Sequence, residues 1–478
     1  MTDRSLDHRP LAELTQRGIV LGGLITLLFT AANVYLGLKV GLTFATSIPA
    51  AVISMAILRY FKSSTILENN IVQTVASAAG TLAAIIFVLP GLVMIGWWTG
   101  FPYLLTAAIC ATGGILGVMF SVPLRRALVV EGNLPYPEGR AAAEVLKVGA
   151  ESREGAAESG RGLFIIVINA LVAAGFAAFA KTRLVVEESA AYFRVGPGAT
   201  GISGGLSFAL LGAGHLVGLS VGMALLAGLV IGWWILLPIL TAQAPMPAVE
   251  VAEWAGTVFR NEVRFFGAGV IGVAAVWSLV RIAGPVVRGI RSSMAASGVS
   301  RGGEGLPIVE RDIPFGIVVT VSLAMMVPIA ILLWSTLVGG PLEGSALVLV
   351  AGALLFVLVI GLIIAAVCGY MAGLMGASNS PVSGIGILAV IASSLLLVGL
   401  FGRDIDPGST QALIAYALIV TGVVFGVATI SNDNLQDLKT GQLVGATPWK
   451  QQVALVLGVV FGSIVIPPVL NLLNETLG

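Results

Sequence analysis

Long apolar runs alternate with short polar breaks along almost the whole chain. A helix needs about 20 apolar residues to cross a bilayer, and run after run meets that length. Spans are predicted at 19–38, 43–60, 71–89, 103–123, 163–180, 204–218, 220–240, 264–283, 314–337, 346–367, 383–401, 410–430 and 453–474. The count is about thirteen transmembrane helices. The pattern predicts an all-α, polytopic integral membrane protein, with broken or re-entrant segments where polar residues interrupt the apolar ones.

The polar interruptions carry the information. The most punctuated is Gly132–Gly149, GNLPYPEGRAAAEVLKVG. Pro135 and Pro137 push the residues before them towards extended backbone, and Pro137 suits the first position of a helix that Gly149 terminates. Asn133, Tyr136 and Glu138 are held in that corner. Arg140, Glu144 and Lys147 can pair along one face of the helix, so a plain surface helix is the alternative.

Three further stretches place polar groups at or within apolar runs, where they are costly and mark function. In Gly369–Leu388 the Ser378-Asn379-Ser380-Pro381-Val382-Ser383-Gly384 core cannot be a straight apolar helix. It reads as a broken segment whose freed N–H and C=O groups need partners. In Ser431–Trp449, Asp433 and Asp437 are four apart on one helix face, at the edge of a span. They are fit to carry a proton or hold a cation, and a capped, solvated helix start is the alternative. Leu67–Gln73 adds Glu68 at a span entrance, and Glu131 is a further protonatable candidate. The Gly-rich run 196–205 reads as a helix end or loop.

Composition narrows the picture. Hydrophobic residues make up 57% and charged residues 10%, far from the roughly quarter charged of soluble domains. A net charge of +1 argues against a nucleic-acid partner. Cys110 and Cys368 both lie in apolar runs and imply no disulfide framework. His215 stands alone and reads as a packing residue. No HExxH or GxxxxGK[ST] pattern occurs, so protease and ATP-driven pump readings lack their machinery and no enzyme is implied. No cofactor or metal site is implied. The GxxxG spacings at Gly113–Gly117, Gly214–Gly218 and Gly369–Gly373 predict close helix packing and leave room for a homodimer.

Lys and Arg set the orientation. With the N-terminus inside, cytosolic segments hold about 18 of the 25 basic residues and the opposite side about 7. The chain is then a multi-pass protein of a bacterial inner (plasma) membrane, with a cytosolic loop at 124–162. Residues 1–283 form an N-terminal transmembrane half, 284–313 a cytosolic linker, and 314–478 a C-terminal half. Tyr35–Gly41 echoes Tyr370–Gly376, and Asn70–Gln73 echoes Asn434–Gln436, as expected of an internal repeat with a site between the halves.

Together the runs Asn133–Glu144, Ser378–Gly384 and Asp433–Pro448 resemble the oligopeptide transporter (OPT) family, which includes the yellow stripe-like metal-chelate carriers. The resemblance extends along the whole chain. It implies a secondary active transporter, a proton-coupled symporter of small peptides or peptide-like metal chelates. The NPGPFN motif of the peptide-carrying eukaryotic branch is absent, and Leu134–Ala143 is closer to the yellow stripe-like branch and to prokaryotic members. The span count is lower than the family's, so the C-terminal half is expected to be incomplete. On this reading Asn133, Tyr136, Tyr35, Tyr370, Ser378, Asn379, Ser380 and Ser383 would contact substrate. One of Glu68, Glu131, Glu138, Asp433 or Asp437 would carry the coupling proton. A passive channel or facilitator, and an inactive short fragment, are the competing readings.

Overall fold

A computed structural model describes residues 12–40, 43–61, 63–151, 188–205, 219–243, 249–274, 307–378, 380, 382–402 and 405–477, with scattered positions between 164 and 284. By contacts the chain falls into two compact units, residues 1–160 with 278–478, and residues 161–277. Among the described residues nine helices are long and apolar enough to cross a membrane, which establishes the all-α polytopic class. Of the predicted spans, half of 163–180 and most of 204–218 lie outside the described residues, as do residues 285–306 of the expected linker.

The first unit is built on one helix. Pro407–Val444 (α13) runs unbroken for 38 residues, about 57 Å at 1.5 Å per residue and well beyond one bilayer core. Asp406 caps its start by accepting from the Ser409 N–H at 2.9 Å, and Gly445 in the left-handed region ends it. The Asp406 carboxyl sits below the usual carboxylate range, chiefly because the Ser409 backbone N–H stabilises its charge. Of the apolar window in α13, 89% is buried inside the protein, against half or less for most other spans.

Around α13 pack Tyr103–Arg125 (α5), Phe315–Leu337 (α10), Ala346–Met375 (α11), Val382–Phe401 (α12) and Pro448–Leu477 (α14). Gln16–Val40 (α1), Ser47–Leu58 (α2), Ile66–Leu82 (α3) and Pro137–Glu151 (α6) complete the unit, with a short helix Pro90–Met94 (α4) between α3 and α5. Val423, Phe425, Val427, Leu116, Phe120 and Val357 lie in its shared apolar core. The expected small-residue packing is present at Gly113, where an added Cβ would meet Val423 O at 2.4 Å. Backbone of α5 thus lies directly on backbone of α13.

Three expectations are corrected. The predicted span 43–60 contains only a 12-residue helix, about 18 Å long and too short to cross. The break expected over 369–388 is much narrower: α11 continues through Met375, Gly376 turns at φ +93°, and α12 starts at Val382. The segment 431–449 is not a helix start, because α13 carries straight through it to Val444. Its polar side chains find partners on four neighbouring helices, which removes the need to surface.

The two echoing stretches occupy matching places. In each, a long helix ends (α1 at Val40, α11 at Met375), an irregular stretch follows, and another helix begins. The irregular stretches meet: the Ala45 N–H donates to Ser378 Oγ at 3.0 Å.

The second unit holds an antiparallel hairpin, Glu188–Val195 (β1) with Gly198–Gly205 (β2), where a helix end or loop was expected at 196–205. Gly196 at φ +57° makes the tight turn that allows Val195 to face Gly198. Leu219–Leu229 (α7) follows the hairpin in the chain, and Leu237–Gln243 (α8) and Val251–Val258 (α9) pack against it. Thr241 of α8 accepts from the Ala199 N–H at 2.9 Å, and Trp233 stacks on Phe259 at 4.7 Å. His215 is exposed.

Candidate polar site at the centre of the helix bundle

From Ser431 to Thr440, α13 turns polar while staying buried: Asn432, Asp433, Asn434, Gln436, Asp437 and Thr440 are each at most 2% exposed. A helix presents successive residues about 100° apart, so this run sends polar groups to several neighbours at once. Asp433 and Asp437, four apart, face α3. There Ser77 Oγ donates to Asp433 Oδ2 at 2.6 Å, and Gln73 Nε2 donates to Asp437 Oδ1. The matched spacing, 77 with 433 and 73 with 437, is that of two helices running antiparallel with one polar stripe each. On another face, Asn434 Nδ2 donates to Ser121 Oγ of α5 at 3.0 Å.

The remaining faces of the run draw in the other two sequence clusters. Gln436 is a bridge: it donates to Ala372 O near the end of α11 at 2.5 Å and accepts from the Gly139 N–H at the start of α6 at 2.8 Å. Thr440 Oγ1 donates to Gly139 O at 2.9 Å. Asn432 Nδ2 donates to Ala377 O at 3.0 Å, and Ser380 Oγ donates to Asn432 Oδ1. Glu138, in the first turn of α6, accepts the N–H of Ala377 at 2.9 Å and of Ser378 at 3.0 Å. Tyr136 N–H donates to Gly373 O at 2.9 Å. Three stretches far apart in sequence therefore form one polar layer, the first of them more than 200 residues from the other two.

Several groups in the layer are buried without a hydrogen-bond partner among the described residues. They are Asp433 Oδ1, Asp437 Oδ2, Gln73 Oε1, Asn434 Oδ1, both side-chain polar atoms of Asn70, and the Tyr136 hydroxyl. Most are acceptors, and among the described residues no cationic side chain forms an ion pair with either aspartate. Two carboxylates with neutral partners and spare acceptor oxygens form a site that is short of protons or positive charge. Tyr136 has a positive φ of 45°, a strained placement for a bulky residue that the two flanking prolines and the Gly373 contact hold. Burial keeps its hydroxyl above the ordinary tyrosine pKa.

Beside the layer lies a polar cavity of about 90 Å³, walled by Ala377, Ser378, Ser380, Ser383, Thr81 and Asn432, among others. Thr81 is one turn beyond Ser77 and Asn432 is next to Asp433, so the cavity wall and the aspartate pair are carried by the same two helices.

The predicted site residues separate accordingly. Ser378, Ser380 and Ser383 line the cavity, while Asn379 lies outside the described residues. Tyr35 and Tyr370 are not among its lining residues: Tyr35 is 39% exposed and Tyr370 packs partly buried against the apolar core. Asn133 is exposed. Tyr136 and Glu138 join the polar layer. Glu68 is fully buried but matched, since Arg17 Nε and Nη2 reach its two oxygens at 2.6 and 2.7 Å and Thr15 adds a hydroxyl. Glu131 is about half exposed and 3.7 Å from Arg126. Ser77, Thr81, Ser121, Gln436 and Thr440 are additions to the predicted set. The spacing Gln73-x₃-Ser77-x₃-Thr81 is a polar stripe along one helix face, and that period is the signal that finds them.

The family model described as "OPT oligopeptide transporter protein" matches residues 13–478. A Haemophilus influenzae protein named "Putative oligopeptide transporter" is 45% identical over 456 residues, 93% of this chain and 70% of that protein. A protein of Oryza sativa subsp. japonica named "Probable metal-nicotianamine transporter YSL11" is 20% identical over 514 residues, 95% of this chain and 68% of that protein.

Proposed function

The chain belongs to the OPT oligopeptide transporter family, and from that premise we propose that it is a secondary active transporter, a proton-coupled symporter of oligopeptides or peptide-like metal chelates. The observation that supports this most directly is the pair Asp433 and Asp437, fully buried, without a cationic partner among the described residues, and next to a polar cavity. A proton on one carboxyl turns an acceptor into an O–H donor and satisfies a neighbouring bare oxygen. The pair is the assigned proton carrier. We prefer the pair to Glu68, which is matched by Arg17, and to Glu131, which is about half exposed.

The cavity wall at 377–383 supplies hydroxyl, amide and backbone groups suited to a zwitterionic ligand. The cavity volume holds a few waters rather than a tetrapeptide, so substrate entry requires the wall to move. Movement at the Gly376 break shifts Ala377 and Ser380, which are bonded to Asn432, the neighbour of Asp433. Substrate occupancy and proton occupancy are thereby linked through α13. We place the chain in a bacterial inner membrane with its N-terminus cytosolic, on the distribution of Lys and Arg.

The test is uptake into proteoliposomes with an inward proton gradient, using labelled peptides and labelled metal chelates. Gradient-dependent uptake of either class supports the proposal. Uptake that persists at an equal rate after the gradient is collapsed selects a facilitator. Absence of uptake above empty vesicles for both classes rejects transport.

A further inference from the structure

Glu138 is an unusual acid in this bundle. Among the described residues no Lys or Arg pairs with it, and its carboxylate is held by two backbone N–H groups, those of Ala377 and Ser378, at 2.9 and 3.0 Å. Those N–H groups are free because α11 has ended: Gly376 at φ +93° turns the chain out of the helix. Gly376 also makes the room, since a Cβ there would stand 2.9 Å from Glu138 Oε1. The arrangement is a two-donor seat for one carboxylate, of the kind peptide N–H pairs make for anions. The seat borders the polar cavity, whose wall includes Ala377, Ser378, Ser380 and Asn432.

We infer that the Ala377 and Ser378 N–H pair is the seat for a substrate carboxylate, and that Glu138 is a tethered competitor that fills it until substrate arrives. This rests on the transport reading above and names the chemistry that its substrate must present. A peptide has such a group at its C-terminus, and amino-carboxylate chelates have several. Displacement of Glu138 by a substrate carboxylate is an exchange of like for like at the N–H pair, so its net cost is small. Its consequence is mechanical, because it detaches the first turn of α6 from the Gly376 break while Gln436 and Thr440 still hold Gly139. A ligand without a carboxylate cannot make the exchange.

The experiment uses the full chain in lipid nanodiscs, as wild type, E138A and E138Q. Hydrogen–deuterium exchange is read at Ala377 and Ser378, with trialanine and its C-terminal amide as probes. In E138A the two N–H groups are expected to exchange about tenfold faster than in wild type. Trialanine should restore their protection and trialanine amide should not. Trialanine should bind E138A about tenfold more tightly than wild type, the gain expected when a competitor filling nine sites in ten is removed. E138Q, whose amide oxygen still accepts one N–H, should fall between. It carries the test if E138A does not fold. Exchange unchanged by either variant, or equal protection by the two probes, overturns the inference. Uptake of trialanine in proteoliposomes is measured alongside. Protection without uptake removes the transport reading and keeps the seat, whereas uptake without protection does the reverse.

Discussion

Replacing either buried aspartate with asparagine should uncouple the transporter without unfolding it. Asp433 and Asp437 are each fully buried, each accepts one hydrogen bond from α3, and each has one oxygen without a donor. An asparagine keeps the carbonyl that receives Ser77 or Gln73 and places an NH₂ where the bare oxygen stood. It cannot take up or release a proton. At a pH difference of one unit, a single coupled proton carries about 1.4 kcal/mol, enough to sustain about tenfold accumulation of substrate. With the membrane potential clamped at zero, wild-type proteoliposomes should therefore accumulate labelled substrate about tenfold if the pair moves one proton and about a hundredfold if it moves two. D433N and D437N should each lower that ratio to about one in the first case. In the second, each single variant should retain about tenfold and only the double variant should fall to unity. Counterflow, which needs no net proton movement, should persist in every variant, and thermal stability should be equal to or above wild type. Wild-type accumulation in both single variants and in the double variant would show that the proton travels elsewhere.

Arg17→Ala leaves Glu68 buried with an uncompensated charge, a loss of about 3 kcal/mol for breaking such a pair. Adding Glu68→Gln should recover most of that loss, as read by thermal unfolding in detergent. Gly113→Leu drives a side chain into Val423 O, which an added Cβ alone would meet at 2.4 Å. It should lower stability by about 3 kcal/mol or prevent assembly, whereas the same change at Gly352, which has open space around it, should be nearly silent. Tyr136→Phe removes a buried hydroxyl without a partner and should be neutral or stabilising by up to about 1 kcal/mol. Because folding raises the Tyr136 pKa, its contribution to stability is complete below the unfolded value of about 10 and is lost as pH rises above it. The alkaline limb of the wild-type stability curve should therefore be steeper than that of Tyr136→Phe.

Hydropathy made most of the membrane architecture legible, because span length and apolar content are dictated by the bilayer itself. Ser47–Leu58 escaped it: in a chain this apolar, a run broken near both ends still averages as a span. The three polar stretches were legible for the opposite reason, since groups such as Asp433 and Glu138 are too costly in lipid to be incidental. Their meeting place was not. Nothing local in Gly139 or Ala372 announces that Gln436 joins them, because that contact depends on how α6, α11 and α13 cross. The same lack of context let 431–449 read as a capped helix start. A polar run after an apolar one reads as an exit from the bilayer unless the partners waiting on α3 and α5 are known.

The layer's geometry also bears on how a single helix can serve two ligands. Consecutive residues on α13 face different neighbours, so Asn432 reaches the cavity wall while Asp433 reaches α3. One helix thus touches both the segment after the Gly376 break and, through Asp433, α3. α13 is also the most deeply buried span, lying backbone to backbone on α5 at Gly113, so it is the least free to bend. Its hydrogen bonds reach the start of α6 at Gly139 and the residues Ala377 and Ser380 that follow the Gly376 break. On the proposed proton-coupled reading, coupling then needs no long relay. It needs only that exchanging a proton at Asp433 or Asp437 alters the grip of residues one or two positions away on the same helix.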